Sequence, residues 1–269
     1  MTKDIRFLSG IHRSGNTVLA SILKQNPTFY LEGISPLVGL IWETNTFMNT
    51  DEISLANAHG LRIRDFIGKI PETFYDYVKE PIIIDRCKTW TTPGNLNMIR
   101  QYINPNPKIL FTTRPLVEVV SSLININKEH YLNTFRNDWN YKQYMSENDN
   151  IAELLLQSSG PLDTFLLSYN SINDKANKDA IHVIRYSEIV ENPKKTIDSI
   201  YDFFELDGFK HDFKNIKNED VYNDSLMGFS TDLHKIRKNI SPSVLKPESI
   251  LSDSMIKRIN AMDPYYVLD

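Results

Sequence analysis

The sequence predicts an α/β fold of three layers, a central and mainly parallel sheet between helices, with helical insertions. Three observations predict it. Short apolar runs at residues 5–8, 81–85, 108–112 and 181–184 are each followed by a helical pattern, the alternation that builds parallel βα units. In Ile82-Ile83-Ile84 no side is left to face water, as in a strand covered on both faces. A length of 269 residues fits one large domain, 1–269, with a sizeable core.

The elements follow in order. Residues 5–8 are a strand, 9–15 a loop, and 16–24 a helix stopped by Asn26-Pro27. From 37 to 78 the pattern is helical with loops. The second strand, 81–85, leads to a helix at 94–102, and Asn104-Pro105-Asn106-Pro107 breaks the chain. The third strand, 108–112, runs through Arg114-Pro115 into a helix reaching about residue 125. Residues 128–180 read as helices with polar loops. After the fourth strand comes a helix over 193–204, with Asn192 placed to cap it and Pro193 at its first position. The remainder is loop-rich and basic in places, ending in a short helix near 252–262.

Composition narrows the function classes. Net charge is −4 and pI about 5.9, which argues against a nucleic-acid or membrane-surface binder, so any basic site is local. One cysteine, Cys87, allows no intrachain disulfide and no paired-thiolate metal site, and fits a reducing compartment. The chain opens without the charged and long apolar stretches of a secretory leader, and no apolar run approaches the ~18 residues of a membrane span. The expectation is a soluble, cytoplasmic protein without a membrane partner.

The strongest chemical signal is Gly10-Ile11-His12-Arg13-Ser14-Gly15-Asn16-Thr17 between the first strand and helix. Its glycine spacing is that of a P-loop, whose backbone N–H groups wrap a phosphate at a helix N-terminus. A nucleoside triphosphatase carries lysine after the second glycine. Here that residue is Asn16, and the positive charge sits earlier, at Arg13. Such a loop holds a phosphate but is poorly equipped for a triphosphate with Mg²⁺.

Arg13-Ser14-Gly15-Asn16-Thr17 resembles the 5′-phosphosulfate loop of sulfotransferases that use 3′-phosphoadenosine 5′-phosphosulfate (PAPS). That family usually reads lysine or arginine, Ser, Gly, Thr, Thr; Asn16 departs from it but still offers a hydrogen bond to phosphate. Further matches follow in the same order. Thr113-Arg114-Pro115 with Ser122 resembles the family's 3′-phosphate signature, an arginine fork joined by a serine of the next helix. The segment 185–193, with Tyr186, Glu188 and Pro193, is similar to one whose tyrosine lies near adenine. Leu233-His234-Lys235-Ile236-Arg237-Lys238 is placed like a late basic loop that closes on the 3′-phosphate, and spacing leaves open which of Lys235, Arg237 and Lys238 reaches it.

The resemblance implies a P-loop NTPase-like fold, PAPS as co-substrate with adenosine 3′,5′-bisphosphate (PAP) as product, no metal ion, and transfer of a sulfuryl group to a hydroxyl or amine. Arg13 and the loop's helix would steady the leaving phosphate. Cys87-Lys88-Thr89-Trp90 resembles the family's lysine-threonine-histidine segment, so Lys88 is a candidate to assist at the sulfuryl group, but Trp90 stands where the base histidine would be. In branches of the family a glutamate after the first helix is the base, and Glu32 lies in about that place; Glu43 and His12 are alternates. The acceptor, a small molecule, carbohydrate or peptide, would meet the helices of 40–80 and 128–180, which carry Trp42, Tyr131, Phe135, Trp139, Tyr141 and Tyr144. The competing readings are a P-loop kinase and a non-catalytic nucleotide-binding protein of the same fold.

Overall fold

The computed structural model describes residues 3–56, 60–136, 141–217, 226, 238–242 and 245–268. Five strands form one sheet in the order β2-β3-β1-β4-β5: β1 (Asp4–Gly10), β2 (Phe29–Tyr30), β3 (Ile82–Arg86), β4 (Ile109–Thr113) and β5 (Ile181–Arg185). Every pairing is parallel. Four of the strands are the apolar runs read from the sequence. The fifth, β2, is two residues long and carries no pattern of its own; it exists because Phe29 and Tyr30 pair with Ile82 and Ile83 at the sheet edge.

Twelve α-helices are described: α1 (Asn16–Leu23), α2 (Leu37–Thr50), α3 (Glu52–Ala56), α4 (Gly60–Phe74), α5 (Pro93–Met98), α6 (Leu116–Phe135), α7 (Glu147–Leu156), α8 (Asp163–Leu166), α9 (Ser168–Ile172), α10 (Tyr186–Glu191), α11 (Pro193–Phe204) and α12 (Asp253–Met262). Strand alternation sorts the sheet's side chains onto two faces. Ile5, Phe7, Ile83, Ile109 and Phe111 share one core with α2, α4, α5, α6, α7 and α12. Leu8, Ile82, Ile84, Leu110 and Ile184 share the other with α1, α10 and α11. These are the three layers, and burial on both sides explains the near-continuous apolar strands.

Three local expectations change. α5 ends at Met98, and residues Ile99–Ile103 wind wider, so that Asn104 N–H reaches Ile99 O at 2.8 Å. α6 continues past residue 125 to Phe135, with non-helical angles at Asn127 (φ −132°, ψ 30°) marking where the sequence signal fades. Asn192 does not cap α11 through its side chain. Its N–H closes α10 on Glu188 O at 3.0 Å, and Thr196 Oγ1 donates to Glu188 O at 2.9 Å instead. Ser252, by contrast, does cap α12, accepting from Met255 N–H.

The closest approach in the sheet lies between β1 and β4. Gly10 pairs with Thr112 in register, at φ +149°, and a Cβ there would sit 2.1 Å from Thr112 Oγ1 and 2.6 Å from Thr112 O. Only glycine fits this position. Gly10→Ala is therefore expected to cost ~3 kcal/mol or more through overlap and backbone strain. A urea unfolding midpoint equal to that of the wild type would contradict this packing.

Candidate active site

Because the strands are all parallel, their C-terminal ends share one edge of the sheet. The chain goes from β1 to the edge strand β2, returns to β3 beside β1, and then crosses to β4 on the other side of β1, which opens a crevice at the end of β1. Onto this edge come Glu32 after β2, Lys88 after β3, the 10–15 loop after β1, Arg114 after β4 and Tyr186 after β5.

The loop is fixed from behind. Gly15 lies at φ +87° and Arg13, unusually for a non-glycine residue, at φ +59°. The buried Ser14 hydroxyl donates to Ile11 O at 2.7 Å and shares a 2.7 Å hydrogen bond with Thr112 Oγ1. Asn16 donates through Nδ2 to Ser9 O (2.9 Å) and accepts at Oδ1 from Arg86 Nε (2.7 Å). The Asn16 amide, expected to offer phosphate a hydrogen bond, is here engaged with Ser9 and Arg86, and the Ser14 hydroxyl likewise serves as a brace. What these residues present to the crevice is backbone. α1 starts at Asn16 with no side-chain cap, and its first-turn N–H groups suit an anion. Thr17 keeps a half-buried hydroxyl, which accepts from Arg86 Nη2 at 2.6 Å.

Arg13 and Arg114 meet beside that helix start. Arg114 Nη1 donates to Arg13 O at 3.1 Å, its Nε pairs with Glu118 at 2.7 Å, and its guanidinium lies 4.3 Å from the centre of the Tyr186 ring. Arg13 Nε donates to Ser122 Oγ at 3.2 Å. Burial, and next the charge of Arg114, lower the pKa of Arg13; Tyr186 and Tyr131 act the other way. Burial raises Tyr131 to about 12, with Arg13 opposing. Tyr186 also packs on Gly15, where an added Cβ would come within 3.0 Å of the ring. Four sequence candidates, Arg13, Arg114, Ser122 and Tyr186, thus form one contiguous group.

On the other side of the loop, Lys88 Nζ stands 2.9 Å from His12 Nδ1, and the His12 ring meets Phe165 edge-on at 4.3 Å. Glu32 is exposed and hydrogen-bonded to the Tyr30 hydroxyl. It lies two strands from β1, a lateral distance of roughly 10 Å. Glu43 is exposed on α2, and its neighbour Trp42 lies over Gly94 at the start of α5. Trp90 is fully buried, edge-on to Phe7 at 5.0 Å, and its Nε1–H donates to Asp85 Oδ1 at 2.6 Å. Asp85 also accepts from the Tyr75 hydroxyl, and its burial raises its pKa against the pull of Tyr75, Ser35 and Trp90.

The late basic cluster is met only in part. Lys235 and Arg237 lie outside the described residues, as does Trp139. Lys238 is exposed, its carbonyl accepting from Ile216 N–H at 2.8 Å, and it joins none of the contacts above. Of the acceptor-side aromatics, Tyr131 stacks on Phe135 at 5.8 Å beside Arg13, Tyr141 packs on the core, and Tyr144 is 84% exposed. Among the described residues no group of three or more His, Cys, Asp or Glu is arranged for a metal, and no helix is long and apolar enough to cross a membrane.

With that geometry in place, the family model of the sulfotransferase domain matches residues 3–244. The chain belongs to the sulfotransferase family. A mouse sulfotransferase solved in complex with PAP is similar in fold, with a TM-score of 0.53 and 14% identity over 97% of this chain and 82% of that one. The sulfotransferase domain of the olefin synthase of Synechococcus PCC 7002 is similar at a TM-score of 0.52 and 13% identity, over 100% and 96% of the two chains. At such identities the likeness is one of fold. No curated protein matches the sequence.

Sequence reasoning missed three residues of this sulfotransferase's site region. Arg86 is 2% exposed yet braces the loop, Asp85 anchors Trp90, and Phe165 backs His12. The signal for the first two was present: charged residues closing a fully apolar strand sit where the sheet meets its crevice. Phe165 had none, because its segment reaches the loop only through tertiary folding.

Asp85 sets a pH dependence. Its folded pKa is raised, so its stabilising contribution is complete below the unfolded value of about 4 and is lost as pH rises through the folded value. Against Asp85→Asn, which cannot ionise, the wild-type sulfotransferase is expected to lose relative melting temperature as pH climbs from about 4 toward 8. Parallel melting curves across that range would contradict it.

Proposed function

We propose that this sulfotransferase takes its sulfuryl group from PAPS and transfers it to a hydroxyl of an acceptor. One observation carries the reading: Arg114, following β4, donates to the backbone O of Arg13 at 3.1 Å, and Arg13, following β1, donates to Ser122 at 3.2 Å, so basic groups from adjacent strands gather beside an uncapped helix start. A ligand with phosphates at two ends of one adenosine suits it, with the 5′ end on the Arg13 loop and the 3′ end on Arg114 and Ser122. Tyr186, one face covered by Arg114, is the adenine-side aromatic. Of the late cluster, Lys235, Arg237 and Lys238 remain candidates to close over the 3′-phosphate.

In the reaction the bond between sulfur and the bridging 5′-phosphate oxygen breaks while the acceptor oxygen bonds sulfur. Charge accumulates on the departing phosphate, where the α1 N–H groups and Arg13 would stabilise it. Lys88, beside His12, is placed to balance charge on the sulfuryl oxygens. The acceptor proton goes to a base. Trp90 is no candidate, being buried with its N–H committed to Asp85, and Glu32 is an exposed carboxylate at the sheet's C-terminal edge. His12 and Glu43 are the alternates.

The kinase reading is not favoured, since the residue that should be the P-loop lysine is an asparagine spent on Ser9 and Arg86. A single buried cysteine fits a cytoplasmic setting, and the acceptor belongs to the small-molecule, carbohydrate or peptide classes, with Trp42 and Tyr131 among its candidate aromatic contacts.

Two measurements test this reading. Arg114→Ala is expected to weaken PAP binding about 100-fold by calorimetry, the loss of a charge-assisted fork; an unchanged affinity would remove Arg114 from the nucleotide site. Glu32→Gln is expected to abolish sulfuryl transfer from radiolabelled PAPS to an acceptor pool while PAP binding survives. Full turnover in that variant takes Glu32 out of the mechanism.

A further inference from the structure

Resting on the reading of the loop as a phosphate site, we infer that Arg86 is a positioning residue that acts on the bound phosphate through Thr17. Arg86 is the last residue of β3, and its side chain projects to the face of the sheet that carries α1. Alternation along the strand requires this, because Ile84 lies in the same α1-side core while Ile83 lies in the other. Only 2% of Arg86 is exposed. The guanidinium forks onto the first turn of α1: Nε donates to Asn16 Oδ1 at 2.7 Å and Nη2 to Thr17 Oγ1 at 2.6 Å. Both are charge-assisted hydrogen bonds of short length.

The two ends of the fork do different things. Asn16 is saturated toward the protein, with Nδ2 on Ser9 O at 2.9 Å, so it holds the start of the helix and offers the crevice no side chain. Thr17 has a hydroxyl with one proton and two lone pairs. Since one lone pair accepts from a cation, the proton is directed away from Arg86, and the O–H bond is polarised by that cation. Thr17 Oγ1, half-buried at the crevice, is then a pre-aimed donor to a phosphate oxygen.

The P-loop of a nucleoside triphosphatase puts its lysine charge directly against phosphate. Here a cation stands one hydrogen bond further back, and a threonine hydroxyl carries its influence forward. Nothing in the loop's own sequence reveals the device, because the cation comes from a different strand some seventy residues on.

A double-mutant cycle on PAP affinity tests it, measured by calorimetry with PAP as the probe. Thr17→Val, which keeps shape and removes the hydroxyl, is expected to weaken PAP about tenfold, and Thr17→Ser to restore it. Arg86→Gln in the wild-type background should weaken PAP by a similar factor, and in the Thr17→Val background by much less, because its route to the ligand is gone. Equal losses from Arg86→Gln in both backgrounds would show a merely structural arginine and overturn the inference. So would wild-type affinity in Thr17→Val, a result that stands even where the Arg86 variant fails to fold. Failure of the wild-type protein to bind PAP at all would sink the nucleotide reading itself, a different outcome from any of these.

Discussion

The site depends on how closely two neighbouring strands approach at their ends. Gly10 and Thr112 are register partners, and the absence of a side chain at Gly10 lets the Thr112 hydroxyl lie against the β1 backbone. That hydroxyl is shared by Ser14 at 2.7 Å and reached by Asn16 Nδ2 at 3.4 Å. The phosphate loop is therefore keyed into β4 as well as hung from β1. The same strand, three residues on from Thr112's neighbour Phe111, delivers Arg114. One packing contact thus sets both the loop's curvature and the distance from it to the second arginine.

That proximity has an electrostatic cost which the molecule keeps local. Arg13 and Arg114 stand together in a chain whose net charge is −4. Desolvation and Arg114's charge lower the pKa of Arg13, the signature of a cation held where it would be more comfortable with an anion. Glu118 neutralises Arg114 along its helix at four-residue spacing, and the Tyr186 ring lies under the same guanidinium. On the proposed reading, the two phosphates of the nucleotide would relieve that repulsion, the one at the loop also accepting from the open N–H groups.

The sheet was legible in the sequence because burial on both faces writes itself as unbroken apolar runs, and 5–8, 81–85, 108–112 and 181–184 became β1, β3, β4 and β5. β2 was not, since two residues pairing at an edge leave no periodicity to read. The cluster of Arg13, Arg114, Ser122 and Tyr186 was legible for a related reason: each lies within a short motif tied to a strand end, and parallel topology gathers strand ends. Side-chain direction was another matter. Asn16 occupies a position where a polar residue suggests a ligand contact, yet Ser9 O and Arg86 claim its amide. A linear motif names the residue at a turn; whether its side chain points to ligand or to scaffold is decided by what a distant strand places behind it.

The exchange of a base histidine for Trp90 follows the same logic. Trp90 fills the core beneath the end of β3, edge-on to Phe7, and its N–H satisfies a carboxylate that is itself fully enclosed. An indole held in the core in this way is not free to face the crevice, so of the segment that follows β3 it is Lys88 that reaches the loop, at His12. On the proposed reading, proton transfer falls to the neighbouring edge strand. Its two residues are tied in by Ile82 N–H on Thr28 O at 3.3 Å and, beyond Glu32, by Ser35 N–H on Arg86 O at 2.8 Å. On the proposal that Glu32 is the base, the donor half of the reaction is held by the most deeply braced strands of the sheet and the acceptor half by its shortest. On that proposal a lightly held edge suits the side that must admit and release an acceptor, while the nucleotide side gains from rigidity.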